Sequence, residues 1–218
     1  MGVQERKARQ KENLRQEILD AARDLFAHQG VESVSMRKIA ERIEYSPGTI
    51  YLYFNDKNEI LKTLCDETFS RLHQKIQAIR DDKSEPLSSL RRGLRAYIEF
   101  GLQNPNHYMV TFVLAGRALH ENQNPGWERA SFHGTPKEQD LECDSGHRCF
   151  DNLRGIVRKC IEEGLFRIDD VEEASQVLWA GVHGITTLLI TKPGFPFVEQ
   201  TRLVERVVEV LVEGVRRP

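Results

Sequence analysis

Residues 35–57 read SMRKIAERIEYSPGTIYLYFNDK, and the punctuation of this stretch decides the fold. Ser35 is placed to cap a short helix over 36–43, whose apolar side is Ile39, Ala40 and Ile43. Glu44-Tyr45 interrupts the pattern, and Ser46-Pro47 restarts it. A capping serine is followed there by proline at the first helical position, where the missing N–H costs nothing and the fixed φ suits a helix. The helix that follows, from 47 to about 53, has one apolar face, Ile50 and Phe54. Two short helices need a longer one to hold them. Leu14, Ile18, Ala21, Ala22, Leu25 and Phe26 recur at helical spacing over about 12–29, with Gly30 at the expected stop. The result is helix-turn-helix architecture.

A helix pair of this kind reads duplex DNA when three conditions hold. Small or apolar residues must lie between the helices, which Ile39, Ala40, Ile43 and Ile50 satisfy. The second helix must begin cleanly, because its first residues enter the major groove. Its outward side must carry groups that reach phosphates and base edges; Thr49, Tyr51, Tyr53 and Lys57 qualify, and Gly48 lets backbone approach a duplex closely. Structural alternatives stand beside these roles: Tyr51 as half core and half surface, Pro47 as a helix starter only.

The run from Ser46 to Leu61, with Ile18–Gly30 and Ser35–Ala40 upstream, resembles the signature of the TetR family, the tetracycline-repressor type of bacterial regulator. The likeness spans about residues 12–65. It implies an all-α chain with an N-terminal three-helix helix-turn-helix DNA-binding domain and a C-terminal helical domain for ligand sensing and dimerisation. On that reading residues 1–11 are a basic flexible arm, 12–56 bind DNA, and 57–218 form the ligand-binding and dimerisation domain. The resemblance places Ser46, Pro47, Gly48, Thr49, Tyr51 and Tyr53 at the groove, and Arg37 reaches DNA from the second helix. Lys57 would hold a phosphate together with the N-terminus of its helix. One departure concerns the turn. Many family members carry glycine there, whereas a non-glycine residue in the left-handed conformation costs on the order of 1 kcal/mol.

The rest of the chain reads as further helices, over about 57–80, 86–102, 105–119, 137–163, 171–191 and 198–216, with no strand-like alternation. Residues 120–136 form a polar segment with Gly and Pro, long for a compact domain and read as a lid or an insertion. The stretch 164–174 and the run Trp179-Ala-Gly-Val-His-Gly184 resemble the turn and penultimate helix of many TetR members. Independently, Gly181 and Gly184 allow close helix approach. Val177, Leu178, Val182, Ile185, Leu188 and Leu189 offer more apolar surface than one side of a helix hides. The last helix repeats Leu203, Val204, Val207, Val208, Val210, Leu211 and Val215, and two such helices from each of two subunits would make a four-helix interface. Candidates for lining an effector site are Tyr97, Phe100, Tyr108, Phe112, Trp127, Phe150, Trp179 and His183; for each, core packing is the favoured alternative.

Composition sets the outer bounds. The chain has 218 residues, 39% hydrophobic and 29% charged, with a formal net charge of -2. That balance argues against coating nucleic acid along the whole surface. Charge is uneven, however: residues 1–15 hold five basic side chains (Arg6, Lys7, Arg9, Lys11, Arg15) against Glu5 and Glu12. A basic end on a mildly acidic body fits DNA contact from that end, and a solvated tail equally. The N-terminus has no apolar export signal, so cytoplasmic localisation is expected. The longest uncharged stretch, 174–191, is too polar for a membrane span.

The partners expected are therefore double-stranded operator DNA, a second copy of the chain as a homodimer, and a small-molecule effector, with no membrane. Cys143 and His147 share a helix face at i, i+4, with Cys149 and His133 nearby, but no fourth ligand follows and no metal site is assigned. No cofactor is expected. Motifs that pair a nucleophile with a base, bind catalytic zinc or cradle phosphates are missing from the sequence, so an enzyme is disfavoured. A protein-interaction module with a retired helix-turn-helix is disfavoured by the intact Thr49, Tyr51, Tyr53 and Lys57. The favoured function is a repressor released from a near-palindromic operator by its effector.

Overall fold

The computed structural model describes residues 2–82, 84–120 and 144–218. Its elements are α1 (Val3–Gln29), α2 (Met36–Arg42), α3 (Pro47–Tyr51), α4 (Lys57–Arg80), α5 (Pro86–Gln103), α6 (Pro105–Tyr108), a π-helical turn (Met109–Leu114), α7 (Ala115–His120), α8 (Asp144–Glu162), α9 (Val171–Thr191) and α10 (Gln200–Val215). The fold is all-α. Among the described residues the one β pairing is an isolated antiparallel bridge, Phe166 with Arg216.

Local chemistry sets the helix ends. Ser35 Oγ accepts from the Lys38 amide at 3.2 Å, and Asp170 Oδ1 accepts from the amides of Glu172 and Glu173 at 2.7 and 3.1 Å. Glu199 caps α10 in the same way, accepting from Thr201 and Arg202, and these hydrogen bonds hold its carboxyl below the usual range. That cap moves the start of α10 to Gln200 from the expected 198. Gly164, with φ 70°, ends α8: its amide meets Ile161 O and the Leu165 amide meets Cys160 O, both at 2.9 Å. This is a Schellman stop.

Two further expectations are corrected. The first helix, expected from about 12, starts at Val3 and so takes in residues 3–11. Apolar periodicity reports only where a helix faces a core, and residues 4–11 are exposed; yet Gln, Glu, Arg, Lys and Ala are all good helix formers. The single helix expected over 105–119 is interrupted by the π-helical turn at Met109–Leu114. The expected segment at 120–136 begins with His120 in α7; its remainder and the expected helical residues 137–143 lie outside the described residues.

The described residues fall into two compact units. The first comprises 2–68 and 106–120, with a core of Ile18, Leu19, Ala22, Phe26, Ile39, Ile50, Phe54, Ile60 and Leu61. Arg23 is buried there against Asp20 at 2.5 Å and Glu67 at 3.3 Å. The second comprises 69–82, 84–105 and 144–218. Its α5 packs against α8, α9 and α10, burying Leu90, Leu94, Ile98, Ile156, Val157, Leu178, Val182, Val208 and Val212. Arg91 reaches Glu213 at 2.7 Å, and Arg95 pairs with Glu205. No helix of the described residues is long and apolar enough to cross a membrane.

Candidate nucleic-acid interface

The site is built from two helix boundaries. At the end of α2 the Tyr45 amide meets Ala40 O at 3.0 Å and the Glu44 amide meets Glu41 O at 3.3 Å. This is the hydrogen-bond pattern that Gly164 uses, with Glu44 in the left-handed position at φ 60°. Among the described residues Glu44 is the one non-glycine residue with positive φ. Ser46 then caps α3: its Oγ accepts from the Thr49 amide at 3.2 Å and lies 3.0 Å from Thr49 Oγ1. Pro47 occupies the first turn.

Burial on one side of α3 fixes what stands on the other. Ile50 is 0% exposed and Phe54 is 2% exposed, with the Arg15 guanidinium 5.2 Å from the Phe54 ring centroid. Opposite them, Tyr51 is 55% and Leu52 is 77% exposed. Ser46, Pro47 and Gly48 are exposed, while Thr49 and Tyr53 are half-buried. Arg37 stands exposed on α2, its guanidinium bonded to Glu41 at 2.9 Å. The expected residues from 46 to 53 are therefore brought together along one short element and its cap.

Lys57 has a more particular place. Its ammonium donates to Val31 O at 2.9 Å and lies 3.8 Å from Glu32, tying the start of α4 to the loop after α1. An ammonium has three donors, so two remain beyond that tie. Asp56 and Glu59 complete the helix start: Asp56 Oδ1 accepts the Glu59 amide at 2.8 Å, and Glu59 accepts from the Asn55 amide at 2.6 Å. Leu52 escaped the sequence reading because only polar side chains were sought. Its signal was an apolar residue off the Ile50–Phe54 face.

The effector-site candidates do not form one constellation. In the second unit the Tyr97 hydroxyl lies 3.2 Å from His183 Nδ1, the Trp179 and His183 rings are 5.4 Å apart, and Phe150 meets Trp179 edge-on at 6.0 Å. Burial holds the His183 imidazole below its ordinary value. Arg154, which sequence reasoning did not single out, lies 4.8 Å from the Phe150 ring centroid and is bonded to Asp151 and Glu172. Phe100 is buried in α5. Tyr108 and Phe112 belong to the first unit, stacked at 4.9 Å, and Trp127 lies outside the described residues.

His133 and Cys143 also lie outside the described residues. His147 is exposed, whereas Cys149 is buried with its thiol pushed up to about 12 by desolvation. Among the described residues no three His, Cys, Asp or Glu side chains converge for a metal.

Residues 18–64 match the profile of bacterial regulatory proteins of the tetR family, and residues 90–211 match the tetracyclin repressor-like C-terminal domain. Solved structures agree in fold. The fatty acid degradation regulator FadR of Bacillus halodurans aligns with a TM-score of 0.69 at 21% identity, over 91% of this chain and 94% of that one. PfmR of Thermus thermophilus, a TetR family transcriptional regulator, gives 0.70 at 22%, over 92% and 99%. A ketosteroid transcriptional regulator of Mycobacterium tuberculosis gives 0.70 at 19%, over 94% and 95%. With both halves matched and the capped helix pair in place, this chain belongs to the TetR family and is a DNA-binding transcriptional regulator.

Proposed function

We propose that the protein is a homodimeric repressor that grips a near-palindromic operator and leaves it when a small molecule binds the second unit. The observation that carries this reading is the sidedness of α3, with Ile50 and Phe54 buried while Tyr51 stands out beside the Ser46–Gly48 cap. In this reading Ser46, Pro47, Gly48, Thr49, Tyr51 and Tyr53 meet the groove. Arg37 and Lys57 meet phosphates, with Lys57 using the donors not spent on Val31. The basic start of α1, exposed from Gln4 to Asn13 and continuing to the half-buried Arg15, adds salt-dependent affinity.

The dimer reading rests on α9 and α10. Val177, Leu188 and Val210 are exposed, Val210 to 61%. Gly181 is already filled against Leu211 of α10, since a Cβ there would lie 2.5 Å from Leu211 Cδ2. A Cβ at Gly184 would have nothing within 4 Å among the described residues, which leaves room there for a second copy. Two-fold pairing would present two α3 helices to major grooves about 34–36 Å apart.

For the effector, the Tyr97, Phe150, Trp179 and His183 group offers apolar rings and a polar pair. Likeness in fold to a fatty acid degradation regulator and a ketosteroid regulator makes a largely apolar effector the first class to try. Release then requires that the effector prefer a conformation in which operator binding is weak.

Selection of bound fragments from a random duplex pool tests the operator reading. The expected product is a two-fold symmetric site bound by two chains, with affinity that falls steeply with salt. An asymmetric site bound by one chain would refute the dimeric grip.

A further inference from the structure

Among the large hydrophobic side chains exposed in the described residues, Leu52 is the most exposed, at 77%. Its position is not accidental to the turn. The Leu52 amide closes α3 by bonding to Thr49 O at 3.2 Å, and Ile50 and Phe54 on either side point inward. A branched aliphatic group is thus held out on the side of α3 that carries Tyr51. The apolar excess that suits self-association lies elsewhere, on α9 and α10. Along the major groove, base edges present donors, acceptors and one aliphatic group, the C5 methyl of thymine.

We infer that Leu52 is a specificity-determining residue that packs on a thymine methyl at one fixed position of each operator half-site. This rests on the proposed seat of α3 in the groove and deepens it by naming what the groove must contain. Tyr51, 55% exposed and adjacent, would wall the methyl from water. The preference arises from burying one methyl against a side chain that is otherwise wet, so it is modest and local. Removing that methyl should cost on the order of fourfold in affinity per half-site.

The test is methyl interference on the selected duplex. Each thymine is replaced singly by deoxyuracil, which keeps the pairing and removes only the methyl, and affinity is measured for the full chain and for Leu52→Ala. One thymine per half-site is expected to show the fourfold loss with the wild-type chain and none with Leu52→Ala. The variant should itself bind the unmodified duplex several-fold less well at unchanged melting temperature. If no thymine shows the loss, or Leu52→Ala shows it equally, the inference fails while duplex binding stands. Intact duplex binding with lost self-association in Leu52→Ala would also overturn it, in favour of a protein contact. Absence of duplex binding by the wild-type chain would remove the inference and the reading beneath it together.

Discussion

The helix-turn-helix and the body of the second unit solve the same packing problem at different ranges along the chain. In the first, α2 and α3 are capped by Ser35 and Ser46 and buried through Ile39, Ala40, Ile50 and Phe54, all within about twenty residues. In the second, α5 is enclosed by α8, α9 and α10, and its ion pairs join Arg91 to Glu213 and Arg95 to Glu205 across more than a hundred positions. The difference shows in what each exposes. The helix pair leaves out Tyr51 and Leu52, a small face whose chemistry is specific. The body leaves out Val177, Leu188 and Val210, a surplus that marks an interface without naming a site.

The harshest way to break this comparison is Phe54→Ala. Phe54 closes the apolar face of α3 under Arg15, and its truncation should cost about 3–5 kcal/mol in the first unit. Hydrogen exchange should show α2 and α3 unprotected and α9 still protected, with duplex binding lost. A uniform loss of protection would mean that the two units do not fold separately.

The two glycines of α9 sharpen it further. Gly181→Ala drives a methyl toward Leu211 and should destabilise the α9–α10 packing by about 1–3 kcal/mol in thermal or denaturant unfolding. Gly184→Ala adds a Cβ that has nothing within 4 Å among the described residues. It should leave the monomer as stable as before and weaken self-association at least about tenfold by sedimentation if α9 is the two-fold surface, roughly the effect of 1.4 kcal/mol.

Lys57→Ala should cost about 1 kcal/mol of stability through the lost bond to Val31 O. The slope of log affinity against log salt should also fall by about one if the ammonium reaches a phosphate. Lower stability with an unchanged slope would assign Lys57 to holding α4 alone.

Glu44→Gly is milder. The turn after α2 and the turn after α8 share one hydrogen-bond pattern, but only the second has glycine at the left-handed position. The substitution should stabilise the first unit by about 1 kcal/mol at most.

The smallest effect concerns His183, whose imidazole burial holds below its ordinary value. Its contribution is fully present above the unfolded histidine value and is lost as pH falls through the lower folded value. Stability of the second unit should therefore decline on acidification below about pH 6.5, and less so in His183→Gln.

The helix-turn-helix was legible because its signals are local. Ser46-Pro47, the Ile50–Phe54 spacing and Gly30 each act over one turn of chain. The bounds of α9, expected at 171–191, are those observed, and Lys192-Pro193-Gly194 marks the end locally. The effector-site candidates were not, because aromatic side chains at 97, 108, 112, 150 and 179 look alike in sequence. Only packing separates the Tyr97–His183 pair from the Tyr108–Phe112 stack in the other unit. The start of α1 was missed because residues 4–11 stand exposed, and the π-helical turn because its insertion leaves no mark in the apolar pattern.

The most direct test is photo-cross-linking of the intact protein to a selected duplex carrying 5-iodouracil in place of thymine, followed by tryptic mapping. Arg42 and Lys57 bound a single tryptic peptide, 43–57, that holds Tyr45, Tyr51, Leu52 and Tyr53. The adducts are predicted to fall on that peptide. Adducts confined to peptides of α9 or α10, with 43–57 unmodified on a duplex the protein demonstrably binds, would contradict the seating of α3 in the groove.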